Sequence, residues 1–199
     1  MADRAIFLAA GEQSGDLHGA ELARELKSRI PGVRLYGLGG SLMAAEGVEL
    51  LADLDRLAIL GFAEVVRHLP DLASLRREVR QFLLERKIDL LVPIDYPGFN
   101  LPLARYARQN GISVLYYIAP QVWAWHESRA RKLAEDTDLV CVVLPFEEER
   151  LKGWGVRTRF VGHPLLDRES YGADLTPDPD SATRVGIFPG SRMQEVSRL

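Results

Sequence analysis

The sequence predicts an α/β protein built on a doubly wound, mostly parallel sheet, and three observations carry that expectation. Short apolar runs recur along the chain, several nearly continuous, as in parallel strands covered on both faces. Stretches of helical periodicity separate most of them, and such alternation is the signature of a sheet wrapped by helices. The first run, Ala5–Ala9, passes straight into a polar glycine turn, Ala10–Asp16, and then into a helical pattern marked by Leu22, Ala23, Leu26 and Ile30. A turn of that kind lies at the carboxyl edge of the sheet, where open α/β folds bind ligands.

In chain order the expected strands are Ala5–Ala9, Val33–Leu38, Glu49–Leu51, Leu90–Ile94, Ser113–Ile118, Leu139–Leu144, Arg159–Val161 and Arg184–Phe188. Between the third and fourth, Leu57–Lys87 reads as two helices split at Pro70, because proline suits a first helical turn and Asp71 suits its positive end. In the second of these helices Leu72, Leu75, Val79, Phe82 and Leu83 share one side, with Arg76, Arg77 and Arg80 on an adjacent one. That pattern fits either a buried amphipathic helix with a solvated basic edge or a helix pair facing a membrane. Residues 171–183 are rich in Pro, Asp and small side chains and read as a linker. The expected plan is therefore a Rossmann-like domain over 1–170, a linker over 171–183, and the start of a second domain over 184–199. One strand and part of a helix cannot bury a core of their own, so a truncated product or a split reading frame is expected.

Composition narrows the function. Hydrophobic residues make up 47% of the 199 residues, enough for a core, and the net charge of -3 gives no basic field to attract nucleic acid. The single Cys141 lies in an apolar run and reads as a buried strand residue, which suits a reducing compartment. No apolar run approaches the roughly 20 residues of a spanning helix. A cytoplasmic protein that touches a membrane from outside is expected. Four scattered histidines and one cysteine offer no metal-ligand spacing, and no metal or cofactor is expected.

The candidate site residues cluster at predicted strand ends. The first turn lacks the G-x-G-x-x-G of a dinucleotide loop, and its Glu12 would repel a pyrophosphate. Glu12, Ser14, Gly15 and Asp16 suit a ligand bearing hydroxyl or amide groups, although Ser14 also reads as a helix cap and Asp16 as a complement to the helix dipole. Asp95 ends the apolar run Leu90–Ile94 and is aimed into the crevice, where low solvation would suit a general base, although it also reads as a turn residue that caps the next helix. Asn100, followed by Leu101-Pro102, offers a competing helix cap, since proline suits a first helical position, and is a candidate substrate contact. The loop after the fifth strand holds Trp123 and Trp125, and Trp123 is a candidate for stacking on a sugar or receiving an acyl chain. His126 beside Glu127 reads as an acid–base pair or as a helix start. His163 follows a strand and is a candidate for substrate binding or a structural residue. Gly190, Ser191 and Arg192 follow the last predicted strand, where helix N-terminal amides and a guanidinium suit a phosphate.

Eight segments together carry a family likeness: AGEQSGD from Ala10, GLGGSLMAAEG from Gly37, LGFAEVVRHLP from Leu60, PIDYPGFN from Pro93, YYIAPQVWAW from Tyr116, LPFE from Leu144, FVGHPLLD from Phe160 and FPGSRMQEV from Phe188. In this order they resemble lipid-A-disaccharide synthase, an inverting glycosyltransferase of the two-domain GT-B architecture. The resemblance implies transfer from UDP-2,3-diacylglucosamine to 2,3-diacylglucosamine 1-phosphate, a β-1,6 linkage and release of UDP. It implies Asp95 as the base on the acceptor 6-hydroxyl, Glu12, Ser14 and Asp16 near the sugar, and Arg192 facing the UDP phosphates without a metal. It also implies an acylated glucosamine phosphate as partner and a peripheral position on the inner face of the inner membrane. Where the family often has a second acid, this chain has Gly98. Because the chain stops where the nucleotide-binding half begins, it is expected to be inactive alone, with the UDP-sugar held through the other half. Two other readings remain: a different GT-B transferase or epimerase, and a stand-alone lipid-binding domain without catalysis.

Overall fold

The computed structural model describes residues 4–54, 65–120 and 127–167, with the side chains of 65–70 and 127–129 left aside. Strands β1 (Ala5–Ala10), β2 (Arg34–Gly39), β3 (Glu49–Asp53), β4 (Leu90–Ile94), β5 (Ser113–Tyr117), β6 (Leu139–Val142) and β7 (Thr158–Phe160) form one sheet. Its order is β3-β2-β1-β4-β5-β6-β7, and every neighbouring pair is parallel. The helices are α1 (Gln13–Arg29), α2 (Ser41–Ala45), α3 (Val65–Glu85), α4 (Pro97–Gln109), α5 (Glu127–Asp136) and α6 (Pro145–Lys152).

The central strand shows why both faces need cover. Along β1, Ala5, Phe7 and Ala9 join one core and Ile6, Leu8 and Ala10 the other, the period-2 alternation of a strand. The first core receives Leu75, Val79 and Leu83 of α3 and Phe99, Leu103, Ala104 and Ala107 of α4. The second receives Ala20 and Ala23 of α1 and Met43 of α2. A third cluster under α5 and α6 joins Tyr116, Val140 and Val142 to Leu133 and Leu151. Each large side chain buried this way contributes roughly 1.5–3 kcal/mol relative to exposure.

The structure corrects several expected boundaries. Pro70 does not open a new helix, since α3 runs from Val65 to Glu85. β6 ends at Val142, two residues early, because Pro145 begins α6 and the Glu147 carboxylate folds back to accept the Leu144 N–H at 3.0 Å. The helix after β4 begins at Pro97, not after Asn100, so Pro102 lies in its interior. Cys141 is buried in β6 as expected, and burial raises its thiol pKa against a weaker opposing pull from Arg159. The predicted strand Arg184–Phe188, the linker 171–183 and residues 57–64 lie outside the described residues.

The chain divides into two compact units, Met1–Gly162 and His163–Leu199. The first contains the whole described sheet. In the second, Pro164–Asp167 form a single 3-10 turn, and the Leu165 N–H donates to His163 Nδ1 at 3.3 Å. His163 thus has a local structural use in this unit.

Candidate active site

The chain adds β2 and β3 on one side of β1, then crosses to add β4 and all later strands on the other side. The order reverses between β1 and β4, and ligands bind outside the carboxyl ends of strands at such a reversal. In the paired register Ala9 faces Pro93 and Ala10 faces Ile94, so Gly11-Glu12 and Asp95-Tyr96 leave the sheet side by side.

The backbone there is unusual. Asp95 and Tyr96 both adopt left-handed conformations, φ 45° and 48°, and Ile118 at the end of neighbouring β5 has φ 62°. Non-glycine residues in this region cost about 1–3 kcal/mol each, and the surroundings must hold them there. The clamps are visible. The Asp95 carbonyl accepts both the Tyr116 hydroxyl and Asn100 Nδ2, each at 2.8 Å, and the Asp95 N–H donates to the Tyr117 carbonyl at 3.3 Å. Tyr116 is fully buried, and burial, followed by the charge of Asp95, holds its phenol well above the usual range. It therefore stays a donor. With its main chain fixed this way, Asp95 itself remains exposed. The low solvation expected of its carboxylate is not found.

Asn100 serves the frame. It is 1% exposed, and Nδ2 also reaches the carbonyls of Ala9 at 3.0 Å and Ile94 at 3.4 Å. One side chain thereby ties the ends of β1 and β4. Neither Asn100 nor Asp95 is the helix cap read from sequence: that position is Tyr96.

The first loop is shorter than expected. α1 begins at Gln13 with Glu12 at the N-cap position, so Ser14, Gly15 and Asp16 are helical and Ser14 is not the cap. Glu12 and Ser14 are exposed at the crevice. Gly15 is buried, and a Cβ there would stand 3.1 Å from the Ala10 side chain, so its smallness lets α1 sit close on the sheet. Asp16 is 4% exposed, and its carboxylate accepts the N–H groups of Gly40 at 2.7 Å, Leu42 at 3.1 Å and Met43 at 3.0 Å. It holds the start of α2, which neither the substrate reading nor the dipole reading had anticipated.

Two residues missed from sequence complete the crevice. Tyr96 lays its ring against Gly11. Its phenol pKa is raised by burial and then by Glu12, while Arg76 acts in the opposite direction. Arg76 of α3 donates to the Gly98 carbonyl at 3.3 Å and lies 5.4 Å from the centre of the Phe99 ring. Pro102 has no N–H to offer the carbonyl four residues back, and that carbonyl is Gly98. A proline four residues after an exposed carbonyl was the readable signal. Arg76 and Arg80, expected on a basic edge open either to solvent or to a membrane, are instead packed against α4, and Arg80 stacks 4.9 Å over Tyr106. Arg77 alone of the three is exposed.

Trp123, Trp125, His126, Gly190, Ser191 and Arg192 lie outside the described residues. Among the described residues no helix is long and apolar enough to cross a membrane, and no three metal-ligating side chains cluster.

A parallel sheet with polar loops at its reversal point defines a Rossmann-like α/β domain. A UDP-N-acetylglucosamine 2-epimerase structure matches 83% of this chain and 54% of its own at a TM-score of 0.60 with 13% identity. The glycosyltransferase of kitacinnamycin matches 98% and 61% at 0.59 with 17% identity. These likenesses show the fold. The particular family follows from sequence: residues 6–199 match the lipid-A-disaccharide synthetase family model, and the chain belongs to that family. Lipid-A-disaccharide synthase of Syntrophus aciditrophicus is 43% identical over 205 residues, covering 100% of this chain and 54% of the relative. That of Nitrosococcus oceani is 44% identical over 201 residues, covering 98% and 52%. The chain spans about half the length of the curated relatives it matches.

Proposed function

We propose that this chain forms the acceptor side of a lipid-A-disaccharide synthase, which joins UDP-2,3-diacylglucosamine to 2,3-diacylglucosamine 1-phosphate. Asp95 takes the proton of the acceptor 6-hydroxyl as that oxygen attacks the anomeric carbon from the face opposite UDP. The bond from the anomeric carbon to the UDP oxygen breaks, the β-1,6 bond forms, and UDP leaves with the electron pair. Glu12 and Ser14 at the rim orient the sugar, and Trp123 and His163 are further contacts in this reading. Gly190, Ser191 and Arg192 stabilise the leaving diphosphate in place of a metal. Inverting displacement needs these two services, a base on the nucleophile and positive charge at the leaving group.

The observation that carries the reading is the exposed Asp95 side chain on a clamped, left-handed backbone at the strand-order reversal. The same reading makes the protein peripheral to the cytoplasmic face of the inner membrane, where its lipid substrates reside. The test is UDP release from short-chain acylated substrates by the chain joined in frame to the carboxyl-terminal half of the Syntrophus relative. Asp95→Asn is expected to lower kcat by about 10²–10⁴ with little change in KM, and an undiminished kcat would refute the assignment. The 199-residue chain alone is expected to show no turnover, and robust turnover would refute the division of labour.

A further inference from the structure

A groove of about 490 Å³ follows the outer face of α4, from Pro97 and Gly98 at its start to Gln109 at its end. Leu101 and Pro102 give it an apolar floor, and Arg80 of α3, Arg105 of α4 and Lys132 and Asp136 of α5 line its sides. The charges do not cancel. Arg105 is engaged by Asp136 at 3.2 Å, a carboxylate only 11% exposed. Arg80 and Lys132 form no ion pair among the described residues, and the buried Nε of Arg80 has no hydrogen-bond partner. Arg76 lies one turn before Arg80 on the same helix face, and burial together with the charge of Arg80 lowers its pKa. Like charges drawn partly out of water are costly without an anion to offset them. Cations above an apolar floor complement a ligand that is anionic at one end and greasy at the other.

We propose that this groove binds the phosphate of an acylated sugar phosphate, with Arg80 and Lys132 gripping the phosphate and Leu101 and Pro102 against the apolar part. The proposal rests on the acceptor reading above and supplies the subsite that reading leaves undefined. The near end of the groove, at Pro97 and Gly98, adjoins the Asp95 turn, so a bound phosphosugar has a route to the base. Guanidinium and ammonium groups bind phosphate by charge-assisted hydrogen bonds, and binding of this kind weakens with salt.

The experiment is calorimetric titration of the 199-residue chain with dihexanoylglucosamine 1-phosphate and with its dephosphorylated counterpart. The phosphorylated ligand is expected to bind about tenfold tighter or more, and added salt should shrink the difference. Arg80→Gln/Lys132→Gln should abolish that preference while leaving the circular dichroism spectrum and Tm unchanged. If the double variant does not fold, Lys132→Gln alone, at an exposed position, should still reduce the preference severalfold. A wild-type chain without the preference, or a folded variant that retains it, overturns the proposal. So does a variant that loses binding to phosphatidylglycerol vesicles yet keeps its preference for the sugar phosphate, which would assign the groove to membrane headgroups. A 6-deoxy analogue and the joined protein together separate the two readings. If the analogue binds like the parent, phosphate recognition does not depend on the 6-hydroxyl, and kcat of Asp95→Asn in the joined protein decides the base separately: an undiminished kcat beside a lost phosphate preference in the groove variant leaves the groove standing while the Asp95 assignment falls.

Discussion

The ring of Tyr96 lies across the backbone of Gly11, closer than any Cβ at that position could tolerate. The loops after β1 and β4 are therefore one packed surface. Glycine is required here for contact, since its φ is not in the left-handed region.

Gly11→Ala should displace the Tyr96 ring and destabilise the fold by roughly 1–3 kcal/mol, the usual cost of overpacking. Urea denaturation measures it. On a Tyr96→Ala background the same substitution should cost little, and an equal cost there would show that the ring is not the obstacle.

Arg76 stands in for the amide that Pro102 lacks. Arg76→Met should cost about 1 kcal/mol for the lost hydrogen bond to Gly98, plus part of its stacking on Phe99. In a Pro102→Ala chain the new N–H can reach Gly98, and the cost of Arg76→Met should fall. A double-mutant cycle reads the coupling directly, and additive effects would mean the two residues act independently.

Asp16 should behave as the fastener of α2. Asp16→Ala removes three acceptor contacts and should cost about 1–3 kcal/mol, with faster hydrogen exchange at Gly40, Leu42 and Met43. Asp16→Asn should cost less, because its amide oxygen can still serve Gly40 and Met43 while its NH₂ opposes the Leu42 N–H.

Tyr116 sets an alkaline limit. Its folded pKa is raised well above the ordinary value of 10.0, so the unfolded chain ionises first. Its stabilising share is fully present below pH 10 and is lost as pH climbs toward the folded value. Tyr116→Phe should flatten that alkaline loss at the expense of the hydroxyl bond to Asp95. An unchanged slope of stability against pH would refute the assignment.

All seven strands of the described sheet were legible as short runs, β1 most clearly, because a sheet covered on both faces leaves it no polar position to blur the pattern; the eighth expected strand, Arg184–Phe188, lies outside the described residues. Helix α3 was legible in its apolar side, Leu75, Val79 and Leu83, but not in its continuity through Pro70. Site residues divided by the range of their contacts. Asp95 and Glu12 could be placed because a strand end locates them. Asp16 and Asn100 could not be assigned roles, since their partners lie 24 and 91 residues away in sequence. Tyr96 and Arg76 were missed for the same reason: a ring on a distant glycine and a guanidinium on a distant carbonyl leave no local periodicity.

The pairing of β1 with β4 also bears on how the protein is made. Ala5 and Asp89, joined by a hydrogen bond at the foot of these strands, are 84 residues apart. Nascent β1 leaves the ribosome early and waits for a neighbour whose arrival requires synthesis of everything between them. Such distant parallel pairing is slow and leaves greasy edges open meanwhile. Translation pauses far enough beyond Gln109 for β4 and α4 to have cleared the exit tunnel would shelter this sheet, whereas pauses before Leu90 has emerged would invite aggregation.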